Sequence, residues 1–234
     1  MPIEIRTITQ RGRLFSVNCY LLRGGAGGGS VGGGFVLVDT GLSSRRAELD
    51  RELEAAGCGA HDLRLIVITH GDADHAGNAA HLRRTRGAPI AMHRAEWTAV
   101  EKGHMLLNRG RMTLLRRVIG SVVFRFGGLG RDDRFAPDVA LEDGAELSGF
   151  GLDARVLHLP GHSQGSVAVL TADGDLFCGD LLTSLGGEPK PNSLVDDPAQ
   201  LAASVARVRS LGVRTVHPGH GRPFALEELQ AGTG

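Results

Sequence analysis

A short aliphatic run that leads straight into a dense polar cluster is the feature that most constrains how this chain can fold. Residues 65–68 are continuously aliphatic and include β-branched side chains, which predicts a short buried strand. The next seven residues, T-H-G-D-A-D-H at 69–75, bring together two histidines and two aspartates. Packing alone does not explain such a density of nitrogen and oxygen ligands. A helix is predicted to open at Ala76 and to end near Gly87, so we expect the cluster in the loop between strand and helix.

The composition is that of a globular protein without a bias toward a charged partner. With 234 residues, of which 41% are hydrophobic and 22% charged, the chain can bury a substantial core, and we expect one domain over 1–234. The formal net charge is zero, which gives no reason to expect a nucleic acid or an anionic membrane as partner. Three scattered cysteines favour neither a disulfide framework nor a thiolate zinc site. No apolar stretch reaches about 18 residues, so a cytoplasmic protein is expected.

Two successive blocks of predicted strands, each accompanied by helices, indicate the fold class. The glycine-rich run at 24–34 has no Gly-Lys-Ser/Thr ending and no helix pattern after it, so we interpret it as a flexible hairpin tip. An Asp-Gly pair at 173–174 predicts a further hairpin. Two packed sheets with helices outside would bury such near-continuous apolar strands on both faces. Strands are predicted at 2–9, 15–22, 35–38, 65–68, 89–93, 152–159, 166–171, 175–178 and 213–216, and a helix at 198–211.

The region 94–140 interrupts the alternation of strands. It contains helical patterns at 94–102 and 111–119, and nine Arg or Lys residues against five Asp or Glu. We interpret it as an inserted, lid-like segment whose positive excess favours an anionic small-molecule substrate. A solvated basic helix face is the alternative interpretation.

Three further polar residues share the position of the first cluster, because each follows an apolar strand. They lie in P-G-H-S, in C-G-D-L-L and in P-G-H-G. Together with the first cluster they provide seven nitrogen and oxygen ligands, which is enough for two metal ions. Imidazole and carboxylate ligands suit zinc, iron or manganese, and the lack of thiolates argues against a structural zinc site. The seven candidate metal ligands are His70, Asp72, Asp74, His75, His162, Asp180 and His220.

With these motifs in hand, the chain resembles the metallo-β-lactamase superfamily, and its glyoxalase II-like members in particular. T-H-G-D-A-D-H resembles the signature H-x-H-x-D-H, the P-G-H, G-D and P-G-H-G segments match the later ligand motifs in order, and V-D-T-G at 38–41 resembles an early turn of the family. The resemblance implies an α/β fold, a four-layer αββα sandwich with a helical insertion at about 94–140. It also implies a site at one edge of the two sheets.

The resemblance assigns a role to each ligand. His70 and His162 would hold a first metal ion with the residue at position 72, while Asp74, His75 and His220 would hold a second. Asp180 would bridge the two ions, and Asp39 would orient a ligand histidine or a bound water.

Asp72 departs from the family pattern, which has histidine at this position. A shorter, harder and charged oxygen ligand shifts metal preference toward iron or manganese relative to zinc. Alternatively the first site is weak, and a single ion is held by Asp74, His75 and His220.

The function implied is a metal-dependent hydrolase that uses a metal-activated water on a small thioester, ester, lactone or phosphodiester. Two divalent ions are expected, with zinc favoured over iron or manganese, and Asp74 is the candidate catalytic residue because its carboxylate can accept the proton of the water. The alternative is iron-dependent oxygen or sulfur redox chemistry, which flavodiiron proteins and persulfide dioxygenases perform on this scaffold. A homodimer is compatible with either function.

Overall fold

Six strands form the first sheet of the computed structural model, which describes residues 2–12, 15–24, 34–104 and 128–229. The sheet follows chain order, with β1 to β3 antiparallel and β3 to β6 parallel. Three of its connections carry α-helices. The strands are β1 Glu4–Arg11, β2 Ser16–Arg23, β3 Phe35–Val38, β4 Leu63–Val67, β5 Ile90–His93 and β6 Val139–Leu141. The helices are α1 Arg46–Ala55, α2 Ala73–Ala76, α3 Ala79–Arg86 and α4 Trp97–Lys102.

The second sheet contains five strands in the order β13-β12-β9-β8-β7. Its strands β7, β8 and β9 form an antiparallel meander, and β12 adds to β9 in parallel after the helix α5, Pro198–Ser210. The strands are β7 Ala154–His158, β8 Val167–Thr171, β9 Asp175–Gly179, β12 Thr215–Pro218 and β13 Phe224–Ala225. A small separate pair consists of β10 Leu182–Thr183 and β11 Lys190–Pro191.

The alternation of side chains along the first sheet divides its residues between two cores. Leu37 and Ile66 pack in one buried cluster with Leu49 and Leu53 of α1. The neighbouring residues along these strands, such as Val36, point to the opposite face and pack in another cluster that also contains residues of the second sheet. The strand β3 therefore buries both faces along its whole length, which is why its sequence is continuously apolar, whereas β1 at the edge of the sheet keeps exposed polar residues.

The second sheet divides its residues in the same way. Val169 and Phe177 face the first sheet, whereas Leu170 packs with Leu201 and Val205 of α5. The three clusters thus separate four layers in the order helix, sheet, sheet, helix. The predicted αββα sandwich is confirmed, and the reason is that both sheets carry apolar side chains on both faces.

Several local predictions are confirmed. The strand predicted at 35–38 has those bounds, β2 and β3 are antiparallel neighbours on either side of the glycine-rich run, and the Asp-Gly pair joins β8 to β9. The helix predicted at 198–211 is present as α5. Between 94 and 140, a 3-10 helix, Arg94–Glu96, and α4 lie in the first predicted helical segment. The tip at 25–33 and the predicted helix at 111–119 lie outside the described residues, as do residues 105–127 of the lid-like insertion predicted at 94–140.

The start predicted for the helix at Ala76 is wrong. The helix is split into α2, which begins at Ala73, and α3, which begins at Ala79. The break is caused by the loop after β3, since Gly77 donates its N–H to the Gly41 carbonyl and the Asn78 amide donates to the carbonyls of Thr40 and Leu42. None of the helices in the described part of the chain has the length and apolar character needed to cross a membrane.

Candidate metal centre

The seven candidate ligands lie at the carboxyl ends of four strands. His70 follows β4, His162 follows β7, Asp180 comes directly after β9, and His220 lies two residues beyond β12. Asp74 and His75 lie on the single turn of α2 rather than in a loop, with Asp72 at the position before that helix. Strands from both sheets thus bring the candidate ligands to one edge of the sandwich, which is where the family resemblance places the site.

One histidine of each sheet and one aspartate form the first group, which we call triad A: His70, Asp72 and His162. Their ligand atoms all lie within 4.8 Å of one another, and all three residues are buried. Asp72 Oδ2 lies 3.2 Å from His162 Nε2 and 3.6 Å from His70 Nε2. The carboxylate of Asp72 therefore lies close to the Nε2 atoms of both histidines, despite its short side chain.

The second group, triad B, consists of Asp74, His75 and His220, whose ligand atoms also lie within 4.8 Å of one another. Asp74 Oδ2 lies 3.4 Å from His220 Nε2 and 3.8 Å from His75 Nε2. Each triad thus offers two imidazole nitrogens and one carboxylate. This similarity is a consequence of Asp72, since a histidine there would give triad A three imidazoles.

Asp180 lies between the two triads. Its Oδ1 is 3.4 Å from the Nε2 atoms of both His75 and His220, and its Oδ2 is 3.8 Å from His162 Nε2. One carboxylate therefore faces both groups, which is the arrangement expected of a bridging ligand.

All four histidines present Nε2 to the common centre because Nδ1 is engaged on the other side of the ring. Main-chain carbonyls can only accept a hydrogen bond, so the Nδ1 atoms of His162 and His220 donate, and in the neutral ring Nε2 is the nitrogen that carries the lone pair. This is the tautomer that ligates a metal through Nε2. The Nδ1 partners are Thr69 Oγ1 at 3.0 Å for His70, Asp39 Oδ2 at 2.8 Å for His75, the Leu194 carbonyl at 2.6 Å for His162 and the Ser16 carbonyl at 2.6 Å for His220.

Asp39 and Thr69 connect the two triads behind the ligands. The Thr69 N–H donates to Asp39 Oδ1 at 2.8 Å, and its hydroxyl donates to Asp39 Oδ2 at 2.8 Å, which leaves the hydroxyl oxygen to accept from His70. The backbone of Asp39 has φ of 60°, a left-handed conformation that Asp tolerates better than most residues. One buried carboxylate therefore orients His75 directly and His70 through Thr69.

The charges of the cluster are strongly coupled. Burial lowers the pKa of His75, but the carboxylates of Asp39, Asp74 and Asp180 outweigh burial and raise it well above its usual range. His220 has its pKa raised to about 10 against the same effect of burial, chiefly by Asp180. Burial also opposes ionisation of Asp180, yet His220 and His75 hold its pKa well below the ordinary value. The carboxylates thus favour a positive charge at the centre.

A divalent cation would supply this positive charge. His70 Nε2, His75 Nε2 and Asp180 Oδ1 are buried and have no hydrogen-bond partner. A buried polar atom left without a partner costs about 1–3 kcal/mol, which coordination to a cation would offset. The donor set of imidazoles and carboxylates is also the one that zinc, iron and manganese take in proteins.

Two supporting residues on β2 carry no sequence signal that could have identified them. Asn18 on β2 donates through its amide to the carbonyls of Pro218 and Gly221, and Tyr20 donates through its hydroxyl to Pro218, so both hold the loop of His220. Gly219 is required by space, because a Cβ there would lie 2.5 Å from His75 Cε1 and 2.7 Å from Asp180 Oδ1. The P-G-H-G motif itself is the only local signal of this requirement.

Two further histidines lie outside the centre, as the sequence indicated. His217 Nε2 pairs with Asp175 Oδ1 at 2.9 Å and its ring stacks on Phe177. His158 stacks on His93 with ring centroids 4.2 Å apart, and its Nε2 donates to the Gln164 carbonyl. In the described part of the chain, neither histidine belongs to a group that could hold a metal ion.

Comparison with known families agrees with this geometry. A family model described as "Metallo-beta-lactamase superfamily" matches residues 12–220, a span that includes all seven candidate ligands. The chain belongs to the metallo-beta-lactamase superfamily. The family resemblance inferred from the motifs is thereby confirmed. Members of this superfamily bind divalent metal ions, often two, and this member has groups of His and Asp residues that could hold a metal ion.

Curated superfamily relatives include hydrolases of thioesters. The hydroxyacylglutathione hydrolase of Anaeromyxobacter dehalogenans is 32% identical over 198 residues, which cover 82% of this chain and 58% of that protein. The corresponding protein of Pseudomonas paraeruginosa is 29% identical and covered to 57%, so the chain spans less than two thirds of either. The human acyl-coenzyme A thioesterase MBLAC2 is 29% identical over 211 residues, covering 83% of this chain and 71% of that one.

Solved superfamily structures share the fold. TTHA1623, crystallised in a di-iron-bound form, is 28% identical with a TM-score of 0.65, and the match covers 95% of this chain and 96% of that one. ST1585 from Sulfolobus tokodaii, 22% identical, has a TM-score of 0.70 with 96% of this chain and 82% of that one covered. The second likeness supports the αββα sandwich alone.

Proposed function

We propose that this protein is a metal-dependent hydrolase of small thioesters or esters, with two divalent ions held by its seven-residue centre. The observation that carries the proposal is the convergence of four imidazole Nε2 atoms and three carboxylates on one point, with every Nδ1 engaged elsewhere. Triad A would hold one ion, triad B the other, and Asp180 would face both.

Zinc is the favoured metal, with iron and manganese as alternatives. Two imidazoles and one carboxylate form a common catalytic zinc site, and the same set also suits non-haem iron. Three carboxylates, those of Asp72, Asp74 and Asp180, nearly neutralise two divalent ions. The centre would therefore retain less positive charge than one with a histidine at position 72. The di-iron form of the relative TTHA1623 supports including iron in the metal screen.

Bound divalent ions would supply Lewis acidity and a water of lowered pKa at this centre. The protein residues would do the rest. Asp74 is held ionised: burial raises its pKa, but His75 and His220 outweigh that and lower it below the ordinary value. Its carboxylate can accept a proton from the attacking water as the water oxygen bonds to the acyl carbon. The carbon–sulfur bond then breaks, and the proton passes to the leaving thiolate.

An apolar rim favours an acyl substrate over a phosphodiester. Among the described residues, the exposed large hydrophobic side chains are Phe15, Leu185 and Leu194, exposed by 39%, 46% and 69%. The rings of Phe15 and His220 form a T-shaped pair with a centroid distance of 5.3 Å, and the Leu194 carbonyl accepts from His162. Leu185 donates its N–H to Thr183 Oγ1, whose hydroxyl donates to the His220 carbonyl. All three thus adjoin ligand loops, where an acyl group can pack.

The proposal is tested by loading the metal-free protein with zinc, manganese or iron and assaying glutathione thioesters, acyl-coenzyme A thioesters, simple esters, lactones and phosphodiesters. We expect thioester hydrolysis, and its loss on Asp74→Ala while the circular dichroism spectrum is retained. Asp50→Ala is the control, because Asp50 also pairs with a histidine, His81, but lies away from the centre. Wild-type rates in Asp74→Ala, or hydrolysis confined to phosphodiesters, would refute the proposal.

Iron-dependent redox chemistry is the second candidate. The observations that favour it are the carboxylate of Asp72 in triad A and the di-iron form of TTHA1623. Iron-loaded protein that consumes oxygen or peroxide, without hydrolysing any member of the substrate panel, would select this function. Hydrolysis by the zinc form selects the first.

The compartment, the assembly and the single-domain organisation stay predictions. A cytoplasmic location is tested by cell fractionation, a homodimer by analytical ultracentrifugation of the full chain, and one domain by a single cooperative unfolding transition. An anionic group on the substrate is tested by neutralising Arg109, Arg111 and Arg116, which should raise the KM of anionic substrates as added salt does.

A further inference from the structure

We propose that Glu96 is a positioning residue for triad A: its buried carboxyl group holds the loop of His70 and Asp72 against the loop of His162. The inference rests on the metal centre of the proposed function. No motif pointed to this residue, which lies in the inserted region at the end of a 3-10 helix, Arg94–Glu96.

The contacts of Glu96 are specific and buried. The residue is 4% exposed. Its Oε2 accepts the N–H of Gly71 at 3.0 Å, and its Oε1 accepts the N–H of Gly165 at 2.9 Å. Each carboxyl oxygen thus has its own backbone donor, and both donors are buried with it. The side chain fastens two main-chain segments to each other.

The two segments are the ligand loops of triad A. Gly71 lies between His70 and Asp72, and Gly165 follows His162 by three residues. The first loop comes from the first sheet, after β4, whereas the second leads into β8 of the second sheet. Two of the ligands therefore move with one sheet and the third with the other. The distance of 3.2 Å between Asp72 Oδ2 and His162 Nε2 depends on how these loops are joined.

Both glycines are required by the approach of Glu96. A Cβ on Gly71 would lie 2.9 Å from Glu96 Oε2, and a Cβ on Gly165 would lie 2.6 Å from Glu96 Cγ. Neither glycine has a positive φ, so their backbone conformation does not demand glycine. The missing side chains instead leave room for the carboxyl group, which indicates that the loops are built around it.

Triad B has separate supports. His75 is oriented by Asp39, its carbonyl accepts the Thr40 hydroxyl at 2.9 Å, and the His220 loop is held by Asn18 and Tyr20. A substitution of Glu96 should therefore lower the affinity for the ion of triad A and leave the affinity for the ion of triad B unchanged. A general loss of stability would not distinguish between the two ions.

The test is Glu96→Gln, which keeps the length of the side chain but has one acceptor oxygen, so its NH2 group opposes a backbone N–H. Metal-free protein is titrated with zinc against a chromophoric chelator, and with cobalt to record absorption spectra. We expect one ion to bind about 10- to 100-fold more weakly, the usual effect of removing a residue that orients metal ligands, and the other to bind as in the wild type. The cobalt spectrum of the remaining tight site should match that of Asp72→Ala and differ from that of Asp74→Ala.

The matched control is Asp138→Asn. Asp138 also braces the first sheet through a backbone N–H, that of Ile90 at 2.8 Å, but contacts no ligand loop. It should leave both affinities unchanged. The inference is overturned if Glu96→Gln binds both ions with wild-type affinity. It is also overturned if the substitution lowers both affinities equally. If Glu96→Gln does not fold, Gly71→Ala displaces the same carboxyl group with a single methyl, and unchanged affinities in that variant overturn the inference equally.

The outcomes for Glu96 and for the function are distinguishable. Wild-type protein that binds two ions but hydrolyses no member of the substrate panel refutes the hydrolase and leaves the role of Glu96 intact. Wild-type protein that hydrolyses thioesters, together with unaltered binding in Glu96→Gln, refutes the role of Glu96 alone.

Discussion

Replacing Asp39 with Asn tests how the protein controls the tautomer of His75. The substitution keeps the size of the side chain, and Asn tolerates the left-handed backbone of this position as well as Asp does. The wild-type carboxylate accepts three hydrogen bonds at 2.8 Å, from the Thr69 N–H, the Thr69 hydroxyl and His75 Nδ1. Asn has a single oxygen, which the two Thr69 donors occupy, so its NH2 group faces His75.

The expected losses of stability and of metal affinity follow from replacing an accepting oxygen by an NH2 group opposite His75. An NH2 group can only donate, so it favours the His75 tautomer with Nδ1 unprotonated and the proton on Nε2, where the metal would bind. One charge-assisted hydrogen bond is lost in a buried site, which costs about 1.5–3 kcal/mol of the free energy of unfolding. Metal affinity should fall about 10- to 100-fold, which is roughly 1.4–2.7 kcal/mol. The loss should concern the ion of triad B, to which His75 belongs.

The assay is chelator competition with zinc on Asp39→Asn, combined with urea unfolding of the metal-free protein. Asp175→Asn is the control, because Asp175 also accepts a hydrogen bond from a buried histidine, His217, outside the centre. It should lower the free energy of unfolding without changing metal affinity. If Asp39→Asn binds both ions as tightly as the wild type, the argument from the tautomer is refuted.

Two further predictions concern metal choice and the core. Asp72→His gives triad A three imidazoles and should raise the ratio of zinc to manganese affinity, by about tenfold; competitive loading followed by elemental analysis measures the ratio, and an unchanged value contradicts the role given to the carboxylate. Phe177 is completely buried between the sheets, with Tyr20 at a ring distance of 5.1 Å. Phe177→Ala should therefore cost about 3–5 kcal/mol in urea unfolding, and a loss below about 1 kcal/mol would show that the cavity collapses.

The order of apolar runs and polar motifs along the chain was enough to predict the layers of the fold and the candidate metal ligands. Continuous apolar runs such as 35–38 require burial on both faces, and a sheet between two apolar layers provides it. The four polar motifs each follow a strand, and strands that end at one edge bring their successors together. Order and residue type were therefore sufficient to predict the sandwich and the seven candidate ligands, including the departure at Asp72. The local helix pattern, in contrast, misplaced the start of α2.

The orientation of the candidate ligands depends on hydrogen bonds that could not be predicted from the sequence. The carbonyls of Ser16 and Leu194 fix two imidazoles, yet every residue has a carbonyl, so no side chain marks these two. Glu96 resembles an ordinary helix-end residue, and the two glycines whose N–H groups it accepts are distant from it in the sequence. Gly77 and Asn78 broke the predicted helix for the same reason, since they bond to the loop after β3. Hydrogen bonds between distant segments leave no periodic trace, and they decide where each donor atom points.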